Sequence, residues 1–90
     1  MPVSDVSSYR GLFIETANEH LNIIDSLLLQ KVESDDWDEI FRRLHSLKGS
    51  SSVMGYKNIA SLCDKAQDEK EVSQLKIVIA DIREKISEIA

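Results

Sequence analysis

The sequence predicts an all-α fold, an antiparallel up-down four-helix bundle forming a single domain over residues 1–90. Three observations carry that expectation. Apolar residues recur at three- and four-residue steps in four separate stretches, the period of a helix with one buried face. Breakers are scarce, with one proline at Pro2 and glycines only at Gly11, Gly49 and Gly55. The stretches are joined by short connections, which in an all-helical chain make consecutive helices antiparallel neighbours. Helix packing dense in Leu and Ile is a common way for so small a chain to stay folded without disulfides or metals.

The first helix is expected over about 8–29, with Tyr9, Phe13, Ala17, His20, Ile24, Leu27 and Leu28 on its stripe. Gly11 inside it costs about 1 kcal/mol relative to Ala. The segment "VESDDWDE" reads as a loop and a helix start, with Ser34 or Asp35 as cap and the acids placed where the helix dipole favours them. The second helix is expected over about 36–53. At about 100° per residue, Ile40, Leu44, Leu47, Ser51 and Met54 share one side, with Trp37 at the edge, and Gly55 is a natural stop. The third, about 57–68, carries Ile59, Leu62, Cys63 and Ala66. Its stripe fails at Glu69, Lys70 and Ser73 and restarts at Val72, which predicts a short turn. The fourth, about 72–90, has the unbroken seam Val72, Leu75, Ile79, Ile82, Ile86 and Ile89.

Composition narrows the function classes. A formal net charge of −5 argues against nucleic acid as a partner, because phosphate-backbone binding needs clustered Lys and Arg. A single cysteine, Cys63, excludes an intrachain disulfide and a cysteine cage for zinc. No apolar run reaches the length of a membrane span, and the first residues lack the pattern of a secretory leader. The expected setting is a reducing cytoplasm, and the expected state a monomer with no membrane partner.

The most informative stretch is "LHSLKGSSSVMG", residues 44–55. On the helical wheel His45 lies about 100° or more from the centre of the apolar stripe, so it stands on the outer flank. Phe41, Lys48, Gly49 and Ser52 share that flank. An exposed imidazole offers a neutral nucleophilic nitrogen near neutral pH. Lys48, one turn on, brings a positive charge suited to phosphoryl oxygens. Gly49 removes the side chain that would fence the ring, and Ser50 to Ser52 keep the next turn low. Gly and Ser each cost about 0.5–1 kcal/mol in a helix interior compared with Ala. The close approach of a large partner to His45 would explain why the helix carries them.

The stretch "LHSLKGSSSVMGYKNIASLCDKAQD" resembles the histidine phosphotransfer (HPt) domain, whose signature is a His, then Leu or Ile, Lys and Gly, small residues, and Gly with an aromatic. Here these are His45, Leu47, Lys48, Gly49, Ser50 to Ser52, Gly55 and Tyr56. The upstream "FIETANEHLNIIDSLLL" is similar to the first helix of the HPt domain of chemotaxis-type histidine kinases, and the resemblance runs from about Tyr9 to Asp68. The resemblance implies a four-helix bundle in which His45 carries phosphate on its outer ring nitrogen. It implies that Lys48 stabilises the phosphoryl group, that Gly49 gives steric access and that Gln67 orients the imidazole. Phe41 and Ser52 are then expected to contact the partner. Chemotaxis kinases usually place Glu where Gln67 stands and often a second His where Asp64 stands. An amide orients the ring without adding charge, which favours exchange with an aspartyl-phosphate donor.

The resulting expectation is phosphorelay signalling, with His45 shuttling a phosphoryl group between a histidine kinase or a receiver-domain aspartate and another receiver aspartate. The partners are then a response-regulator receiver domain and a histidine kinase, with the receiver docking on the flank of the first two helices. The domain needs no cofactor of its own. Mg²⁺ belongs to the receiver, and no Gly-rich loop provides a nucleotide site, so the domain is a carrier rather than an enzyme. The alternative is a non-catalytic helical adaptor. His20 reads as a boundary or core histidine with a polar partner, and Cys63 as a small core residue.

Overall fold

In a computed structural model, which describes residues 6–90, with side chains from Ser8 onward, the chain forms four α-helices and no strand among the described residues. They are α1 (Val6–Leu28), α2 (Ser34–Met54), α3 (Lys57–Gln67) and α4 (Val72–Ile89). Residues 1–5, which the single-domain reading includes, lie outside the described residues. Each helix packs on the next and α4 closes the ring against α1. With such short links the chain runs up and down, as expected.

The core is one cluster fed by all four helices: Phe13, Ala17, Leu21, Ile24 and Leu28 from α1, and Ile40, Leu44 and Leu47 from α2. Ile59, Cys63 and Ala66 of α3 and Leu75, Val78, Ile79, Ile82 and Ile86 of α4 complete it. Two members escape the sequence reading. Leu21 is fully buried, and it follows Ala17 by four residues and precedes Ile24 by three, so the α1 stripe runs through Leu21 while His20 sits at its margin. Val78 likewise widens the α4 seam. Tyr9, expected on the stripe, is 59% exposed, because the buried face of α1 begins at Phe13.

The ends of α2 set the frame for the residues around His45. The helix starts two residues early, at Ser34, and the cap is Glu33 rather than Ser34 or Asp35. The Glu33 backbone N–H donates to Asp36 Oδ2 at 2.9 Å, satisfying a donor that the helix leaves without a partner. At the other end Gly55 takes the left-handed conformation with φ 81°. Its N–H reaches the carbonyl of Ser52 at 3.1 Å, and the Tyr56 N–H reaches that of Ser51 at 2.8 Å. This pair of bonds is the Schellman stop, and it turns the chain into α3 within two residues. Ser51, buried on the core face, donates its hydroxyl to the Leu47 carbonyl at 2.7 Å, so its polar atom costs the core nothing unpaired.

Because φ at Gly55 lies in the region that L side chains enter at a cost of about 1–2 kcal/mol, Gly55→Ala is expected to lower unfolding free energy by that amount. Urea denaturation followed by circular dichroism checks it, and an unchanged midpoint would contradict the assigned turn.

Candidate functional site

The phase of α2 determines which groups leave the core. Leu44 and Leu47 are buried on either side of His45, so the imidazole projects from the opposite face and is exposed. Its Nδ1 lies 3.5 Å from Nε2 of Gln67 on α3. That engages the ring nitrogen nearer the backbone, to which the amide N–H as placed can only donate. The ring runs nearly parallel to that of Phe41, one turn earlier, with centroids 6.4 Å apart and planes 7° apart. Phe41 is itself exposed, so His45 has an apolar neighbour on one side without being covered.

Lys48 follows His45 by three residues and so shares its face of the helix. Its ammonium forms an ion pair with Asp64 Oδ1 of α3 at 2.8 Å. Gly49 is exposed, and a Cβ built there would meet nothing within 4 Å. The fold therefore gives no packing reason for a glycine in the middle of this helix, where it costs about 1 kcal/mol relative to Ala. Ser52 is exposed as well and borders a shallow depression with Lys48, Asp64 and Ala60. On the N-terminal side a groove of about 310 Å³ opens between α2 and α3, with Trp37, Phe41 and Leu44 on one wall and Ala66 and Gln67 on the other.

All six expected site residues are thus on one side of the bundle: His45, Lys48, Gly49, Phe41 and Ser52 on α2, and Gln67 on α3. The hydrogen bond of His45 and the ion pair of Lys48 both run to α3, so the side-chain partners of these two residues lie across the α2–α3 seam. A helical wheel gives the angle of His45 from the core but not which neighbouring helix lies on that side. Sequence reasoning also missed the Asp64 partner of Lys48 and the groove beside Phe41. A signal for the first was present, since an acid and a base sat on two helices joined by a tight turn.

On the other edge of α2, His20 has the polar partner expected of it. Nη1 of Arg43 lies 3.3 Å from its Nδ1, and Arg43 Nε donates to Glu39 Oε2 at 2.8 Å. Partial burial, and then the Arg43 charge, hold the His20 imidazole below its ordinary pKa, against an opposing pull from Glu19. Cys63 is in the core as expected, and burial pushes its thiol up to about 12. Among the described residues no group of three His, Cys, Asp or Glu side chains is placed to hold a metal, and no helix is long and apolar enough to cross a membrane.

The sequence matches the Hpt domain family over residues 8–90. The chain belongs to that family. Hpt domains act in histidine phosphotransfer within phosphorelay signalling, and that is the biochemical class of this chain. Among curated proteins the Hpt sequence is 40% identical over 63 residues, 64% of its length, to the chemotaxis protein CheA of Bacillus subtilis. It is 45% identical over 56 residues, 57% of its length, to CheA of Listeria monocytogenes, and 32% identical over 68 residues, 70% of its length, to CheA of Halobacterium salinarum. These matches cover 9%, 9% and 10% of the relatives, so the Hpt chain corresponds to a small part of each. No solved structure matches the sequence significantly.

A lowered folded-state pKa at His20 makes the unfolded chain bind protons more readily than the folded one as pH falls through the ordinary value of 6.5. Stability is therefore expected to fall with acidification across that range. His20→Gln, compared with wild type by urea titration at neutral and mildly acidic pH, should show a weaker fall. An identical slope would contradict the assignment.

Proposed function

We propose that His45 is the phosphoryl carrier of this Hpt domain and that its Nε2 is the nucleophile. The observation that carries the reading is an exposed imidazole pinned at Nδ1 by Gln67 and left unfenced at Gly49. For Nε2 to attack, its lone pair must be free, so the ring proton must sit on Nδ1. The Gln67 amide serves this by turning its oxygen to the ring, accepting from Nδ1–H. The same amide can present its N–H when Nδ1 is bare. A carboxylate at this position could only accept. Gln67 therefore orients the ring in either tautomer without adding charge, in keeping with a carrier that both receives and donates.

The donor and acceptor are an aspartyl phosphate on a response-regulator receiver domain or a histidine kinase, and then another receiver aspartate. The reaction is in-line displacement through a loose transition state with charge spread over the phosphoryl oxygens, so positioning and electrostatics supply most of the acceleration. Mg²⁺ is assigned to the receiver's acidic pocket. Lys48 meets the phosphoryl oxygens, Gly49 and Ser52 leave room for the rim of that pocket, and Phe41 with the adjoining α2–α3 groove supplies apolar contact. On this reading the chain is a cytoplasmic monomer in its carrier role and, by its similarity to CheA proteins, serves a chemotaxis-type pathway.

Incubation with a phosphorylated receiver domain is expected to place acid-labile, alkali-stable label on wild type and none on His45→Gln. Equal label on the two would contradict the assignment and favour an adaptor. Gly49→Ala gives a second check, because its effects should have opposite signs. It should stabilise the helix by about 1 kcal/mol in urea titration while slowing phosphotransfer. A variant that is more stable and equally fast would remove the access argument.

A further inference from the structure

Two side-chain links cross the α2–α3 seam next to each other, His45 to Gln67 and Lys48 to Asp64. Their members are three residues apart on each helix, so both links lie on one face, one turn from each other. The second is an ion pair between groups that stay accessible, with the Lys48 side chain 39% and the Asp64 side chain 62% exposed. Asp64 makes no hydrogen bond within its own helix that would account for an acid there, and the phosphotransfer chemistry described above does not use it. Its carboxylate nevertheless holds the cation that a phosphoryl group on His45 would need.

We propose that Asp64 is a positioning residue that holds the Lys48 ammonium against α3 while His45 is bare, and that Lys48 changes partner, from the Asp64 carboxylate to the phosphoryl oxygens, when His45 is loaded. The proposal rests on His45 being the phosphoryl carrier. A lysine is suited to the exchange, since its charge sits on a flexible four-carbon stem with three rotatable donors. The loaded group carries more negative charge than a carboxylate and is one turn away, so the ammonium moves to it.

The step balances as follows. The P–O bond of the receiver's aspartyl phosphate breaks and its electron pair stays on the aspartate carboxylate. The Nε2 lone pair of neutral His45 forms the N–P bond, and the Nδ1 proton remains on the ring against Gln67. Loading then leaves Asp64 without its cation and next to a phosphoryl group. Both effects raise the energy of the loaded domain relative to the loaded receiver. Asp64 accordingly biases this Hpt domain towards giving its phosphoryl group away.

The test is an equilibrium measurement with a purified receiver domain, phosphorylated with acetyl phosphate and freed of it. Wild type, Asp64→Asn, Asp64→Glu, Lys48→Met and the Lys48→Met, Asp64→Asn double variant are each mixed with it. The ratio of phospho-His45 to phospho-receiver is then read. Asp64→Asn should raise that ratio about three- to fivefold, the scale an exposed ion pair supports. Asp64→Glu should return it towards wild type, and most of the gain should vanish in the Lys48→Met background. An unchanged ratio in Asp64→Asn, or the same gain with and without Lys48, overturns the proposal while leaving the carrier role intact. Absence of label on wild-type His45 overturns the carrier role and the proposal with it. The dependence of the gain on Lys48, which a merely structural effect of Asp64→Asn would not show, separates positioning from a change in stability.

Discussion

The burial of Leu44 and Leu47 is the constraint on which the site depends. With those two side chains locked into the core, α2 cannot rotate, and the two residues between them, His45 and Ser46, both face outward, with His45 the one that reaches α3. The same packing holds α3 alongside, and its length places Gln67 at the level of the imidazole and Asp64 at the level of Lys48. The Schellman turn at Gly55 and Tyr56 fixes the register of these two helices over only two connecting residues. The imidazole of His45 thus gains its direction from apolar packing beneath it and its orientation from one amide beside it. Little else touches it.

Access and rigidity would ordinarily conflict in so small a bundle. Here they are separated by face. The inner side of α2 is close-packed, with Ser51 as the one buried polar side chain and its hydroxyl satisfied within the helix. The outer side carries the exposed Gly49 and Ser52 and leaves Phe41 as a half-open apolar contact next to a groove. The intrinsic cost of Gly and Ser in a helix falls on a segment already held by tertiary contacts, where propensity is the weaker determinant.

Most of the fold was legible in the sequence because each helix is amphipathic, and the α4 seam and the phase break before Val72 mark the last element without ambiguity. Misplacements occurred where adjacent residues compete for one stripe, as with His20 and Leu21, or where a helix end extends beyond the core, as with Tyr9. The cap of α2 was misread because Glu33 uses its backbone N–H and the carboxylate of Asp36, a bond that composition does not single out. At the site, the identity of the outward residues followed from local spacing. Their partners across the seam followed only from the handed arrangement of the helices, which periodicity does not encode. Gln67 was found through resemblance to a family, and the Lys48–Asp64 pair emerged only with the packed helices.

The central claim is that one ring nitrogen, Nε2 of His45, is presented for covalent chemistry while the other is held by Gln67. Nitrogen-15 NMR of histidine-labelled protein, before and after phosphorylation by a receiver, addresses it directly. The account predicts phosphorus coupling at Nε2 of His45 alone, with the Nδ1 proton slowed in exchange and that slowing lost in Gln67→Ala. Coupling at Nδ1, or at His20, would contradict it.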